Sequence, residues 1–149
     1  MLRDFEFIGL AQEPSSVSRC RTMNLAVIMP ARDEEDHIEA SILSVPSEVQ
    51  AIIVIDDASV DDTASVASNA LDQCRDACEH IALVDGGGRG VGAAILSGVK
   101  KLSSLVGNPE DWALIVMAGD GQMDPRDLPS LVTGLENSDH VKGNRFRHS

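Results

Sequence analysis

Asp56, Asp57 and Asp120 each follow an apolar, β-branched run: Ala51-Ile-Ile-Val-Ile precedes the first two, and Ala113-Leu-Ile-Val-Met precedes the turn Ala118-Gly-Asp-Gly-Gln-Met-Asp124. Ligands of open α/β sheets bind just beyond the carboxyl ends of the strands, so carboxylates delivered there point to a polar ligand held together with a cation. Asp120 is the candidate metal ligand, because Mg²⁺ and Mn²⁺ take oxygen donors and usually share them with substrate phosphates. Gln122 lies beside it. The plainer alternative is that Asp120-Gly121 is only a turn signal, and Asp124, directly before Pro125, reads as a helix cap. Asp57 is placed to accept from a nucleobase imide or amine; its alternative role is an Asx turn with Ser59. A third strand end, Pro30-Ala-Arg-Asp-Glu-Glu-Asp36, offers Arg32, whose planar donors suit phosphate or a base edge, and Glu34. Glu35, Asp36, Asp61 and Asp62 are explained as charges favoured at helix N-termini.

These groups need a sheet to hold them. The chain alternates short β-branched runs with longer segments of helical period. Strands are expected at Leu25 to Met29, Ala51 to Ile55, Ile81 to Val84 and Ala113 to Met117, with a weaker one near His140 to Gly143. Helices are expected near Glu34 to Ser44, Asp62 to Cys78, Val91 to Leu105 and Pro125 to Glu136. Strand and helix in repeated alternation predict an α/β fold: three layers, a mostly parallel sheet with helices on both faces. Residues 1 to 22 carry no sustained period and read as a loosely ordered lead-in, with an apolar patch at Phe5, Phe7, Ile8 and Leu10 able to dock on the body. Residues 23 to 149 form the working unit.

The 149 residues, 43% of them hydrophobic, suffice for one domain with a core. A formal charge of -12 argues against a nucleic-acid surface. Three cysteines, an odd number without a secretory signal, argue against a disulfide framework and for a reducing, cytoplasmic setting. Cys74 and Cys78 read as packing residues, and the four histidines fall in no metal-ligand spacing. Asp85-Gly-Gly-Gly-Arg-Gly-Val-Gly-Ala-Ala94 contains a relaxed dinucleotide-binding pattern at Gly88, Gly90 and Ala93. That pattern belongs to a first βα unit with an acid ending the next strand, whereas here it follows the third strand, and the fourth ends at Met117-Ala118.

In order, Val27-Ile-Met-Pro-Ala-Arg-Asp-Glu-Glu35, Ile53-Val-Ile-Asp-Asp-Ala-Ser59, Gly90-Val-Gly-Ala-Ala94, Val116-Met-Ala-Gly-Asp-Gly-Gln-Met-Asp-Pro125 and Val141-Lys-Gly-Asn-Arg-Phe146 resemble the family 2 glycosyltransferases of GT-A fold. The nearest look is to dolichyl- or polyprenyl-phosphate mannosyl and glucosyl transferases. The resemblance implies that Pro30, Arg32, Glu34, Ile55 and Asp57 hold the base and ribose of a nucleotide sugar. It further implies that Ala118, Gly119, Asp120 and Gln122 lie at the metal and diphosphate, and that Arg145 faces the donor phosphates. Asp120 is the surviving acid of an Asp-x-Asp metal motif whose first position is Ala118 here. Mg²⁺ or Mn²⁺ is the implied cofactor, inversion the implied outcome, and a lipid phosphate at the cytoplasmic face of a membrane one implied acceptor. No residue is identified as a catalytic base. Family members continue past the Asn-Arg-Phe segment, so the chain matches the donor-binding part, and the remainder would come from downstream sequence or a partner chain. Two rival readings are an NAD(P)-binding oxidoreductase module on Gly88, Gly90 and Ala93, and a catalytically inactive nucleotide-binding fragment.

Overall fold

A computed structural model describes residues 6–9, 23–135 and 138–142. In chain order the elements are β1 (Glu6–Gly9), β2 (Asn24–Ala31), α1 (Ile38–Leu43), β3 (Ala51–Asp56), α2 (Thr63–Gln73), β4 (His80–Asp85), α3 (Val91–Val106), β5 (Trp112–Val116), α4 (Leu128–Gly134) and β6 (His140–Lys142). Single 3₁₀ turns at Pro109–Asp111 and Pro125–Asp127 lead into β5 and α4. One sheet runs in the order β4-β3-β2-β5-β1-β6. β4, β3, β2 and β5 are mutually parallel, while β1 is antiparallel to both of its neighbours.

Side-chain alternation along β2 explains the three layers, since successive residues of a strand face opposite sides. Val27, Met29 and Ala31 join a core with Ile38 and Ile42 of α1, Ala67 and Leu71 of α2, and Leu128 and Leu131 of α4. Ala26 and Ile28 join the opposite core with Ala94 and Leu102 of α3. The α/β architecture read from the sequence, with helices on both faces of a mostly parallel sheet, is the one observed.

Helix α3 lies close to the sheet because Gly98 has no side chain. A Cβ there would sit 2.7 Å from both Ile28 Cγ2 and Ile55 Cδ1. Gly98→Ala is therefore expected to destabilise the fold by about 1–3 kcal/mol through overpacking, read as a lower urea midpoint at unchanged slope.

Element lengths differ from expectation in instructive ways. The first helix starts at Ile38, not Glu34, because residues 33 to 35 bond to a neighbouring loop and Asp33 takes a left-handed φ of 55°. The second stops at Gln73, and Cys74 to Cys78 continue as turns in which Cys78 N–H donates to the Cys74 carbonyl. The segment expected as a helix from Pro125 splits into a 3₁₀ turn and a helix ending at Gly134. Glu6–Gly9, within the lead-in, is a strand paired with β5 and β6, with Phe7 opposite Ile115 and Val141.

Candidate functional site

The chain lays β2, β3 and β4 side by side in one direction and then returns to place β5 on the other flank of β2. The crevice at the carboxyl ends of β2 and β5 is thus the topological switch point, where ligands of such sheets bind. Both sides of that crevice carry expected site residues. Pro30 is buried near the end of β2 and Arg32 emerges beyond it with an exposed side chain, 3.9 Å from the Asp33 carboxylate. Ala118, Gly119 and Asp120 follow β5, and the Gly119 N–H donates to the Pro30 carbonyl at 3.1 Å. The Ser41 hydroxyl donates to the Gly119 carbonyl, so this turn is fastened on two sides. Glycine is needed at 119, since a Cβ would lie 2.6 Å from Ile38 Cδ1 and 3.0 Å from Ala31 Cβ.

Asp120 is half-buried, and its Oδ1 accepts the Gln122 N–H at 3.0 Å, an Asx turn that orients the carboxylate. Burial first, and then the nearby Asp120 charge, push the Glu34 carboxyl above its usual range. Glu34 and Asp120 therefore create a local negative potential. The donor set is oxygen only, which fits Mg²⁺ or Mn²⁺ rather than zinc. Among the described residues no three His, Cys, Asp or Glu side chains stand together as a metal cluster; a cation at Asp120 would complete its shell with ligand phosphate and water.

A carboxylate whose pKa is raised by folding opposes folding above that pKa, and the penalty fades as pH falls through it. Glu34→Gln is accordingly expected to raise the melting temperature of the metal-free protein at neutral pH by about 1–3 °C. The gain should fade as pH falls through the range in which the wild-type carboxyl takes up its proton, and a gain independent of pH would refute the raised Glu34 pKa.

Asp57 stands where expected, at the end of β3, and the alternative weighed for it, an Asx turn with Ser59, is not what it makes. That turn belongs to Asp56, whose Oδ1 accepts the Ser59 N–H at 3.2 Å and the Ser59 hydroxyl. Asp57 points the other way and is 5% exposed. Its Oδ1 accepts the Arg89 N–H at 3.0 Å and its Oδ2 the Gly90 N–H at 2.9 Å. Gly86 makes room for it, as a Cβ there would lie 2.8 Å from Asp57 Oδ1. The amides at the start of α3, which a dinucleotide fold aims at pyrophosphate, are thus already taken by a carboxylate. This disfavours the oxidoreductase reading based on Gly88, Gly90 and Ala93.

Ile55 is fully buried and packs towards α3, so its side chain supports the rim from beneath. Gln122 is exposed beside Asp120. Arg145 lies outside the described residues. Asp124 acts as the expected cap, accepting the Arg126 N–H. The Arg126 guanidinium hydrogen bond lowers the Asp124 carboxyl to about 2.

One set of residues had no such role in the sequence reading. The loop after β2 and the loop after β3 are cross-bonded in both directions. The N–H groups of Asp33, Glu34 and Glu35 donate to Ser59 Oγ, Thr63 Oγ1 and Asp61 Oδ2 at 2.9, 2.8 and 3.2 Å. The N–H groups of Val60 and Asp62 donate back to Asp33 Oδ1 and Glu35 Oε2 at 2.8 and 2.9 Å. The Thr63 hydroxyl and backbone N–H also hold the Asp61 carboxyl below its usual range. Of the acids read as helix-terminal charges, Glu35 and Asp61 are therefore braces, together with Asp33, between the two loops that carry Arg32, Glu34 and Asp57.

Residues 26–149 match the family model described as glycosyl transferase family 2. The chain belongs to glycosyl transferase family 2. It is 32% identical over 123 residues to an uncharacterised glycosyltransferase of Mycobacterium tuberculosis, an alignment spanning 81% of this chain and 48% of that protein. An uncharacterised protein of Methanocaldococcus jannaschii is 27% identical over 140 residues, 92% of this chain and 53% of its own. The chain thus spans about half the length of the curated relatives it matches. Among solved structures, glucosyl-3-phosphoglycerate synthase of M. tuberculosis with Mn²⁺, UDP and glucosyl-3-phosphoglycerate superposes with a TM-score of 0.57 at 24% identity, covering 78% of this chain and 41% of that one. The same enzyme with Mn²⁺, UDP-glucose and phosphoglyceric acid gives 0.57 at 21% identity, over 88% and 47%. This likeness establishes the GT-A fold of a family 2 domain. Among the described residues no helix is long and apolar enough to cross a membrane.

Proposed function

We propose that this chain is the donor-binding part of a glycosyltransferase that uses a UDP- or GDP-sugar with Mg²⁺ or Mn²⁺. The observation that carries the reading is the hydrogen bond from Gly119 N–H to the Pro30 carbonyl. It ties the turn that carries Asp120 to the strand that leads into the Arg32–Glu34 rim, so both border one crevice. Pro30, Arg32, Glu34, Ile55 and Asp57 form the base and ribose side, the last through the outer lone pairs of its carboxylate. Ala118, Gly119, Asp120 and Gln122 form the diphosphate side, Asp120 is the metal ligand, and Arg145 is assigned to the donor phosphates by the family resemblance alone. A cation held there would supply charge neutralisation for the departing nucleoside diphosphate. The acceptor oxygen attacks the anomeric carbon as the bond from that carbon to the diphosphate oxygen breaks, with inversion. An acceptor that is itself a phosphate, such as a polyprenyl phosphate presented at the cytoplasmic face of a membrane, is already anionic and needs little help from a base. Residues that position the acceptor belong to the part of the relatives this chain does not span, supplied downstream or by a partner chain.

Thermal denaturation with ligands tests the reading. UDP- or GDP-sugars with Mn²⁺ should raise the melting temperature by linkage, while NAD(H) should not, and stabilisation by NAD(H) alone would overturn it. Nucleotide binding without turnover in the full-length protein would favour the inactive-fragment reading.

A further inference from the structure

We infer that β4 is the pairing edge of a symmetric dimer, its occupant being β4 of a second copy of this chain. Among the described residues nothing pairs with the outer edge of β4, which is bonded to β3 alone. Edge strands of monomers are usually guarded by proline, a bulge or a central charge. Between His80 and Asp85 this strand reads Ile-Ala-Leu-Val and carries none of these.

The hydrogen-bond directions limit the register. His80 N–H donates to the Gln50 carbonyl and Gly86 N–H to the Asp56 carbonyl, so the even-numbered residues turn their backbone groups towards β3. Ile81, Leu83 and Asp85 consequently turn theirs outwards. In an antiparallel pair, residues directly opposite are either both bonded or both unbonded. A two-fold axis at Leu83 satisfies this rule: Leu83 meets Leu83 of the other copy, and Ile81 meets Asp85. Leu83, 37% exposed, would then bury its side chain against its own copy. Asp85 can stand opposite the apolar Ile81 because its carboxylate is turned back onto the Gly87 N–H.

The same register supplies charge complementarity at both ends. Glu79, whose side chain is 73% exposed, falls opposite Gly87 of the other copy. Arg89 lies at that point, its Nε donating to the Gly86 carbonyl at 3.2 Å and standing 3.7 Å from where a Gly87 Cβ would be. A centre on Ala82 would also obey the bonding rule, but it would set Glu79 against Asp85, two like charges, and so is rejected.

Size-exclusion chromatography with light scattering over a wide concentration range tests the inference on the full chain. The wild type should show a concentration-dependent dimer. Leu83→Pro should be monomeric with unchanged circular dichroism and a melting temperature that no longer depends on protein concentration, since the N–H it removes points away from β3. Glu79→Arg and Arg89→Glu should each weaken the dimer at least tenfold, and the double exchange should restore it. A wild type monomeric at every concentration, a Leu83→Pro dimer, or a double exchange that fails to recover would overturn the proposal. None of these outcomes depends on the donor assignment.

Discussion

Asp120→Ala is expected to weaken Mn²⁺-dependent binding of a nucleotide sugar by at least about 100-fold, about 2.7 kcal/mol, while the fold survives. Asp120 is half-buried, sits in the crevice between β2 and β5, and bonds to its own turn through Gln122 N–H, so it supports no other element by a described hydrogen bond. Removing it deletes the charge that the resemblance assigns to the cation and frees one exposed turn. Asp120→Asn separates these effects, because the amide oxygen can still accept from Gln122 while the charge is gone. Isothermal titration with and without Mn²⁺ is the measurement. Equal loss in both variants marks a metal ligand, loss only in the alanine variant marks a turn-former, and undiminished metal-dependent binding in Asp120→Ala removes it from the site.

Asp57→Asn should be the most damaging single-atom exchange to stability, costing about 2–4 kcal/mol. The carboxylate is buried and accepts from two backbone amides, one on each oxygen. An asparagine can serve only one of them; its NH₂ group would face the other N–H, donor against donor. The amide so released belongs to Arg89 or Gly90, and the start of α3 would loosen with it. Urea denaturation reads the cost, and hydrogen exchange should show faster opening confined first to residues 86 to 92. Exchange rates unchanged there would mean that the glycine-rich loop is held by other contacts. Because the same change would disturb the wall proposed to hold the base, donor binding should fall in parallel, whereas Gly98→Ala should lower stability with binding largely retained.

The sheet was legible in the sequence because its central strands are buried on both faces, and such strands read as unbroken β-branched runs. Ile81 to Val84 and Val91 to Leu105 were equally plain from periodicity. What escaped was set by partners distant in sequence. Nothing near Glu34 announces that its N–H is taken by Thr63, a residue 29 positions away, so the first helix was begun a turn too early. The alternative weighed for Asp57, an Asx turn with Ser59, belongs to its neighbour for a related reason. Adjacent strand residues face opposite ways, and of two neighbouring aspartates only Asp56 could turn back to Ser59. Glu6–Gly9 is too short to show a period, and its place in the sheet follows from the edge that β5 offers. At the site, Pro30, Arg32, Asp57 and Asp120 do converge on one end of the sheet. The braces at Asp33, Glu35 and Asp61 could not be told from dipole-favoured acids, since both roles call for a carboxylate at the same position.

Those reciprocal braces have a consequence for how a ligand is received. Two loops joined by bonds running both ways cannot splay independently, so they present a rigid jaw whose ordering entropy was surrendered when the chain folded. The opposite wall, at the Asp120 turn, is tied to the same strand through the Gly119 N–H and the Pro30 carbonyl, so the crevice is a vice whose two cheeks are set before anything enters it.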